Sequence, residues 1–346
     1  MMIQIDGSYG EGGGQILRTS LALSLVTGKP FEIHNIRAGR RKPGLMHQHL
    51  TALEAARQIG RAVAQGGSLA SQSLTFIPSA IIPGTYHFSV GTAGSCTLVF
   101  QTVLPALIQA RGESELLLEG GTHNPFAPPF DFLAKTFLPL VSDMGPEITV
   151  RLEQHGFYPA GGGRFRVHIR PCSELRPFHL KKRGEIQRCS VRVLLAKLPR
   201  HIAQRELKVI GKKLPLPGAV LRTEEVEDSR GPGNVLFAEL KSEGLTEVFS
   251  AFGERGVTAE RVAGKVVRDV KEYLAADVPV GKYLADQLLI PLALAGKGSF
   301  RTLRLTRHTR TNMEIIQKFL DRDIRAEELG NGVWEIRVSP SDKAAV

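Results

Sequence analysis

The 346-residue sequence predicts an α+β fold in which three βαβαββ units form a large body, residues 1–183 and 278–346, around a smaller inserted α+β unit, residues 184–277. Three observations predict it. A Gln-x3-Pro pattern occurs twice inside apolar helical runs, Gln101 to Pro105 and Gln287 to Pro291. Each run starts shortly after a glycine, Gly94 or Gly281, and ends at another in the helix C-cap position, Gly112 or Gly296. A proline inside a helix costs about 3 kcal/mol, so its return at one offset marks an internal repeat. The glycine-rich start of the chain reads as a degenerate copy, with Gly12, Arg18 in place of Gln, Ala22 in place of Pro, and Gly28. Between the second and third copies the pattern breaks.

Within each copy the elements follow in order. The first helix is apolar nearly all round, which marks it as buried. A strand-like run comes next, 31–36, 115–118 or 302–305, and then a second helix, 44–59, 128–144 or 312–320. Met46, Leu50 and Leu53 give the first of these its helical spacing. Two strands close a copy: 73–77 with 86–90, and 148–152 with 164–169. The inserted unit reads as strand 186–195, helix 201–214, strands 219–225, 234–240 and 247–252, and helix 259–276.

Composition excludes several classes. Apolar residues make up 42% and charged residues 23%, ordinary for a globular protein. The longest apolar run, 288–295, is less than half the roughly 18 residues of a membrane span. The first residues have neither a basic n-region nor an apolar h-region, so the expected compartment is the cytoplasm. Cys96, Cys172 and Cys189 are too few for a disulfide framework, and no CxxC or HExxH spacing offers a ready zinc site. The 45 Lys and Arg against 34 Asp and Glu leave a net charge of +11, which favours a polyanionic partner. The 36 glycines exceed the roughly 7% average and cluster at Gly10 to Gly14, Gly91 and Gly94, Gly120 and Gly121, and Gly161 to Gly163.

Four constellations carry chemistry. Gly10 to Gln15 precedes a helix, where free N–H groups and the helix dipole hold phosphate. The run is neither a Walker A loop nor a GxGxxG fingerprint, because Gln15 stands at the last glycine position. Glu11 inside it repels phosphate unless a divalent cation lies between them, so it points to a metal–nucleotide site; the alternative is a tight turn with a solvated Glu. Arg37, Arg40, Arg41 and Lys42 surround a second glycine turn, and the other copies place 120–125 and 306–312 at that position. The three turns converge if the copies pack around one centre. His308 lies there between Arg307 and Arg310, cations that favour the neutral imidazole, a competent nucleophile toward phosphorus. His34, His47, His49, His123 and His155 compete with it. Tyr283, Asp286 and Gln287, at the start of the third copy's first helix, are either nucleotide contacts or satisfied polar groups. The basic run 181–213 is either a set of solvated faces or a polynucleotide guide.

Long motifs then carry a likeness. Gly7 to Arg18, Arg37-Ala-Gly-Arg40 with Lys42-Pro-Gly44, Gly94-Ser-Cys-Thr97, His155 to Gly163, Gly231-Pro-Gly-Asn234 and Tyr283-Leu284-Ala285-Asp286-Gln287 together resemble the RNA 3′-terminal phosphate cyclases over essentially the whole chain. The resemblance implies ATP, a divalent metal (Mg²⁺ or Mn²⁺) and an RNA with a 3′-phosphate end, which becomes a 2′,3′-cyclic phosphodiester. It implies His308 as the nucleophile that takes AMP and Glu11 as the metal holder. It places Gln101, Pro128, Phe132 and the run 283–287 around the nucleotide, and Gln15, Arg18, Arg37, Arg40 and Gln48 at the phosphate and RNA end. The run 306–312 is more basic than the family leads one to expect. A non-catalytic relative acting in ribosome assembly is the alternative, against which His308, Glu11 and Asp286 stand; an enolpyruvyl transferase would rest on the repeat alone.

Overall fold

The computed structural model describes residues 1–214, 216 and 218–341; the end of the expected body segment, 342–346, lies outside the described residues. The first unit runs β1 (Ile3–Asp6), α1 (Gly14–Thr27), β2 (Phe31–His34), α2 (His47–Ile59), β3 (Val63–Gln65) and β4 (Leu74–Ile77), with sheet order β1-β2-β4-β3 and β1 parallel to β2. The second repeats it with β5 (Thr85–Ser89), α3 (Cys96–Leu107), β6 (Ser114–Gly120), a helical segment, β7 (Glu147–Gln154) and β8 (Gly163–Arg170), in order β5-β6-β8-β7. That segment is α4 (Phe130–Phe132), a π-helical turn (Leu133–Phe137) and α5 (Leu138–Asp143). Pro139 explains the turn: it lacks the N–H that Lys135 would bond, and the Leu138 N–H reaches Leu133 instead.

The third unit opens with the two-residue strand β9 (His179–Leu180). The chain then leaves it for β10 (Ile186–Ala196), α6 (His201–Lys213), β11 (Val220–Glu225), β12 (Gly233–Ser242), β13 (Thr246–Phe252) and α7 (Ala259–Ala276), whose sheet order is β11-β10-β12-β13. It returns as α8 (Lys282–Leu294), β14 (Gly298–Thr302), α9 (Arg307–Phe319), β15 (Arg322–Gly330) and β16 (Val333–Pro340), with order β15-β16-β14-β9. Read backwards this is the order of the other two units, so the interruption falls inside the third copy rather than between copies.

Further expectations need correction: Gly112 lies beyond the Ile108 C-cap of α3 and does not cap it, and two strands and a helix shift. The run 86–90 does not close the first unit but opens the second, pairing in parallel with β6; the true closing partner, β3, is three residues long with Val63 and Gln65 exposed, too short to show alternation. The third unit's second strand lies four residues before 302–305, because Gly298 to Thr302 pairs with β16 while Ser299 and Phe300 also pair with β9. Its second helix starts at Arg307, not Asn312, because the Thr306 hydroxyl accepts from the Thr309 N–H at 3.0 Å and caps it.

The interrupting sheet is held from both sides. Along β10 and β12, Val191, Val193, Leu236 and Ala238 pack with α6 and α7, while Leu194, Ala196, Val235 and Phe237 join the body's core. That is the period-2 alternation of a strand covered on both faces. Buried charge reinforces the contact: Arg192 on β10 pairs with Asp131 of α4, which also meets the His123 Nε2 at 3.0 Å. Burial works against the Asp131 charge, but the His123 hydrogen bond and the Arg192 and Lys135 cations outweigh it and hold the carboxyl below its usual range.

Candidate active site

The first helices of the three units, α1, α3 and α8, border a cleft of about 970 Å³. The repeat offsets face it together: Arg18 and Ala22 from α1, Gln101 and Pro105 from α3, Gln287 and Pro291 from α8. Because proline has no N–H, the carbonyls of Gln101 and Gln287 lose their usual helical donors. The two glutamine side chains bond each other across the cleft, Gln101 Nε2 donating to Gln287 Oε1. Residues of β13 and α7 form the opposite wall.

His308 sits in the first turn of α9, with its side chain 55% exposed and therefore reachable. Its Nδ1 lies 2.6 Å from Gln15 Oε1, and Gln15 Nε2 donates to Asp286 Oδ2 at 3.0 Å. This chain fixes the tautomer. The carboxylate takes the amide nitrogen, so the amide oxygen faces the ring, Nδ1 carries the hydrogen, and Nε2 keeps a free lone pair. Burial, then Arg18 and Arg40, push the His308 pKa down, and Glu11 at 3.9 Å pushes it back only in part. The ring is therefore neutral near pH 7. The cations acting on it are not the expected Arg307 and Arg310; Arg310 lies over the Trp334 ring at 5.1 Å, since a helix turns about 100° per residue. Asp286 is pushed up to about 7 by burial, and its backbone carbonyl accepts from Asn312 Nδ2 at 2.8 Å.

Two of the three turns expected to converge do so. Arg40 Nη2 meets Glu11 Oε2 at 2.8 Å and the Glu11 carbonyl at 2.9 Å, and the Glu11 N–H donates to Thr311 Oγ1. The glycines allow this closeness: Gly10 has φ +59°, and a Cβ on Gly13 would fall 2.4 Å from the Glu11 carboxylate. The third turn reaches the cleft at its last residue, Pro125, while His123 is buried against Asp131 and Phe157. Arg18 is half-buried, and burial lowers its pKa to about 10, so it stays charged. Among the described residues it has no ion-pair partner, and it faces the cleft. Glu11 offers one carboxylate, and among the described residues no three His, Cys, Asp or Glu side chains gather as a metal site. One carboxylate completed by phosphate oxygens is how Mg²⁺ is commonly held. Both Glu11 oxygens are engaged, Oε2 by Arg40 at 2.8 Å and Oε1 by the Gln15 N–H at 3.1 Å, so a cation arriving with a nucleotide would have to displace Arg40 to reach the carboxylate.

The remaining expected residues divide. Pro128, Phe132, Tyr283 and Gln287 line the cleft. Leu284 and Ala285 do not: helical rotation turns their side chains into the core, where they are 0% and 1% exposed. Arg37 and Gln48 are committed to backbone. Arg37 donates to the carbonyls of Lys42 and Gly44, and Gln48 Oε1 accepts from the Ser95 N–H that precedes α3. Sequence reasoning missed Phe126 and the cations Arg261, Lys265 and Arg268, which also border the cleft. Their i, i+4, i+7 spacing was the available signal.

Residues 9–326 match the family described as RTC: RNA 3′-terminal phosphate cyclase. Among similar proteins, an RNA 3′-terminal phosphate cyclase of Koribacter versatilis is 50% identical over 345 residues, covering 100% of this chain and 97% of that protein. One of Ectopseudomonas mendocina is 49% identical over 336 residues, 97% of this chain and 98% of that protein. One of Salmonella agona is 46% identical, covering 99% of each.

Proposed function

Because the chain belongs to the RNA 3′-terminal phosphate cyclase family, we propose that its cleft uses ATP to convert an RNA 3′-phosphate into a 2′,3′-cyclic phosphodiester, with His308 as nucleophile. The observation that carries this is the Nε2 of His308, left free by the Nδ1 bond to Gln15, beside Arg18, a cation with no ion-pair partner among the described residues. His308 Nε2 attacks the α-phosphorus of ATP; the Nε2–P bond forms, the bond to the leaving oxygen breaks, and pyrophosphate departs. The ring is cationic while it carries AMP, and its Nδ1–H stays on Gln15. An oxygen of the RNA 3′-phosphate then attacks the same phosphorus and releases neutral His308. Finally the 2′-OH attacks the RNA phosphorus and expels AMP, its proton passing to solvent. Each step needs alignment and charge neutralisation more than covalent help.

In this reading Gln101, Pro128, Phe132 and Tyr283 enclose the adenosine, Arg18 and Arg40 meet phosphate, and Arg37 and Gln48 act through the loops they hold. Glu11 would hold a divalent cation, which supplies charge neutralisation on phosphate when bound. Residues 184–277 are taken as an inserted domain. A cytoplasmic location belongs to the same proposal, in keeping with three free cysteines; among the described residues no helix is long and apolar enough to cross a membrane. The test is an incubation with ATP, Mg²⁺ and a 3′-phosphorylated oligoribonucleotide. The expected products are one AMP and one pyrophosphate per phosphatase-resistant end; ADP, or an end still open to phosphatase, sinks the reading.

A further inference from the structure

Arg261, Lys265 and Arg268 stand on one stripe of α7, all exposed and all bordering the cleft across from α1 and α8. Among the described residues none has an ion-pair partner, although neighbouring cations do: Arg205 is paired with Glu260, and Lys282 with Asp269 and Glu272. Glu254 is the acidic group of the inserted unit on this border. Gly264 lies between them, and a Cβ there would meet nothing within 4 Å, so the helix surface is open at that point. The stripe extends about 10 Å along the helix axis, enough for more than one phosphate of a strand whose charges recur every few ångströms.

At the same border stands Phe126, 99% exposed, in a left-handed backbone conformation of φ 69° between Pro125 and Ala127-Pro128-Pro129. A fully exposed phenylalanine gains nothing from core packing there, and a non-glycine residue at positive φ is strained. Aromatic faces beside a row of cations are the two parts of a single-strand platform, in which bases stack while the backbone is neutralised.

We infer that Phe126 and the α7 stripe Arg261, Lys265 and Arg268 take the RNA nucleotides lying 5′ of the reacting end, Phe126 stacking a base and the cations meeting successive phosphates. This rests on the cyclase reading and deepens it, assigning part of the inserted unit to guiding RNA. The test uses full-length protein with ATP and 3′-phosphorylated RNAs of two and of ten nucleotides, with His308 adenylylation measured separately without RNA. In R261Q/K265Q/R268Q the KM for the ten-mer rises about tenfold. The log–log salt dependence of that KM flattens by about 2, at roughly 0.7 per lost phosphate contact. Phe126→Ser raises the ten-mer KM about 5- to 10-fold. Dinucleotide KM and adenylylation stay at wild-type values in both variants. Equal losses on both RNA lengths, an unchanged ten-mer KM, or a raised ATP KM in adenylylation, which would assign the stripe to the triphosphate, each overturn the inference. Failure of the wild-type protein to adenylylate or cyclise overturns the underlying reading instead.

Discussion

Gln15→Met tests the hydrogen-bond chain on which the nucleophile depends. Methionine keeps the length and apolar stem of glutamine but neither accepts from His308 Nδ1 nor donates to Asp286. The lost 2.6 Å contact to His308 is worth about 0.5–1.5 kcal/mol. If it serves to hold the ring with Nε2 bare, adenylylation slows by about 2- to 10-fold, since about 1.4 kcal/mol is tenfold in rate. The other lost contact falls on stability. Asp286 is half-buried and loses its 3.0 Å donor, a penalty of up to about 1–3 kcal/mol that urea unfolding detects. The assay pairs single-turnover adenylylation with ¹⁵N NMR of the ring, which in wild type finds the proton on Nδ1. A wild-type ring protonated at Nε2, or a folded variant adenylylated at full rate, refutes the reasoning.

Other outcomes follow from the same geometry. Arg192→Met leaves the buried Asp131 with His123 and Lys135 but without its Arg192 bridge and destabilises the protein by about 1–3 kcal/mol in denaturant melts; a change below about 0.5 kcal/mol shows the bridge to be dispensable. Glu247, fully buried and pushed up to about 8 by burial, accepts from the Gly281 N–H at 3.0 Å, just before α8. A raised acid contributes stability that is present below its ordinary pKa near 4.5 and lost as pH rises through about 8. Glu247→Gln, which keeps an acceptor, therefore unfolds with less pH dependence between those limits, by an upper bound of roughly 5 kcal/mol at about 1.4 per pKa unit; identical pH profiles count against it. Arg18→Met, which removes from the cleft a cation with no ion-pair partner among the described residues, raises the KM for the 3′-phosphate RNA by at least about tenfold, and an unchanged KM removes Arg18 from phosphate binding.

The repeat was legible because proline is costly in a helix. Gln101, Pro105, Gln287 and Pro291 recur at one offset, and all four face the cleft, so the same signal located fold and site. The order of closing strands was not legible, because β3 has only three residues with two exposed and β9 only two. Strands this short are set by pairing, not by their own pattern. The neighbours of His308 were misread because sequence proximity suggested Arg307 and Arg310, whereas Arg18 and Arg40 approach from α1 and the 37–44 turn. Phe126 was missed because an aromatic residue in a proline-rich run reads as core, and only its backbone conformation and exposure set it apart.

The central claim, a covalent AMP on His308 Nε2, is tested most directly by incubating the protein with α-³²P-labelled ATP and Mg²⁺ in the absence of RNA and mapping the labelled peptide. The account predicts one acid-labile, alkali-stable label on the peptide carrying His308, discharged by a 3′-phosphate RNA and absent from His308→Ala. Label on another residue, or undiminished label in that variant, contradicts it.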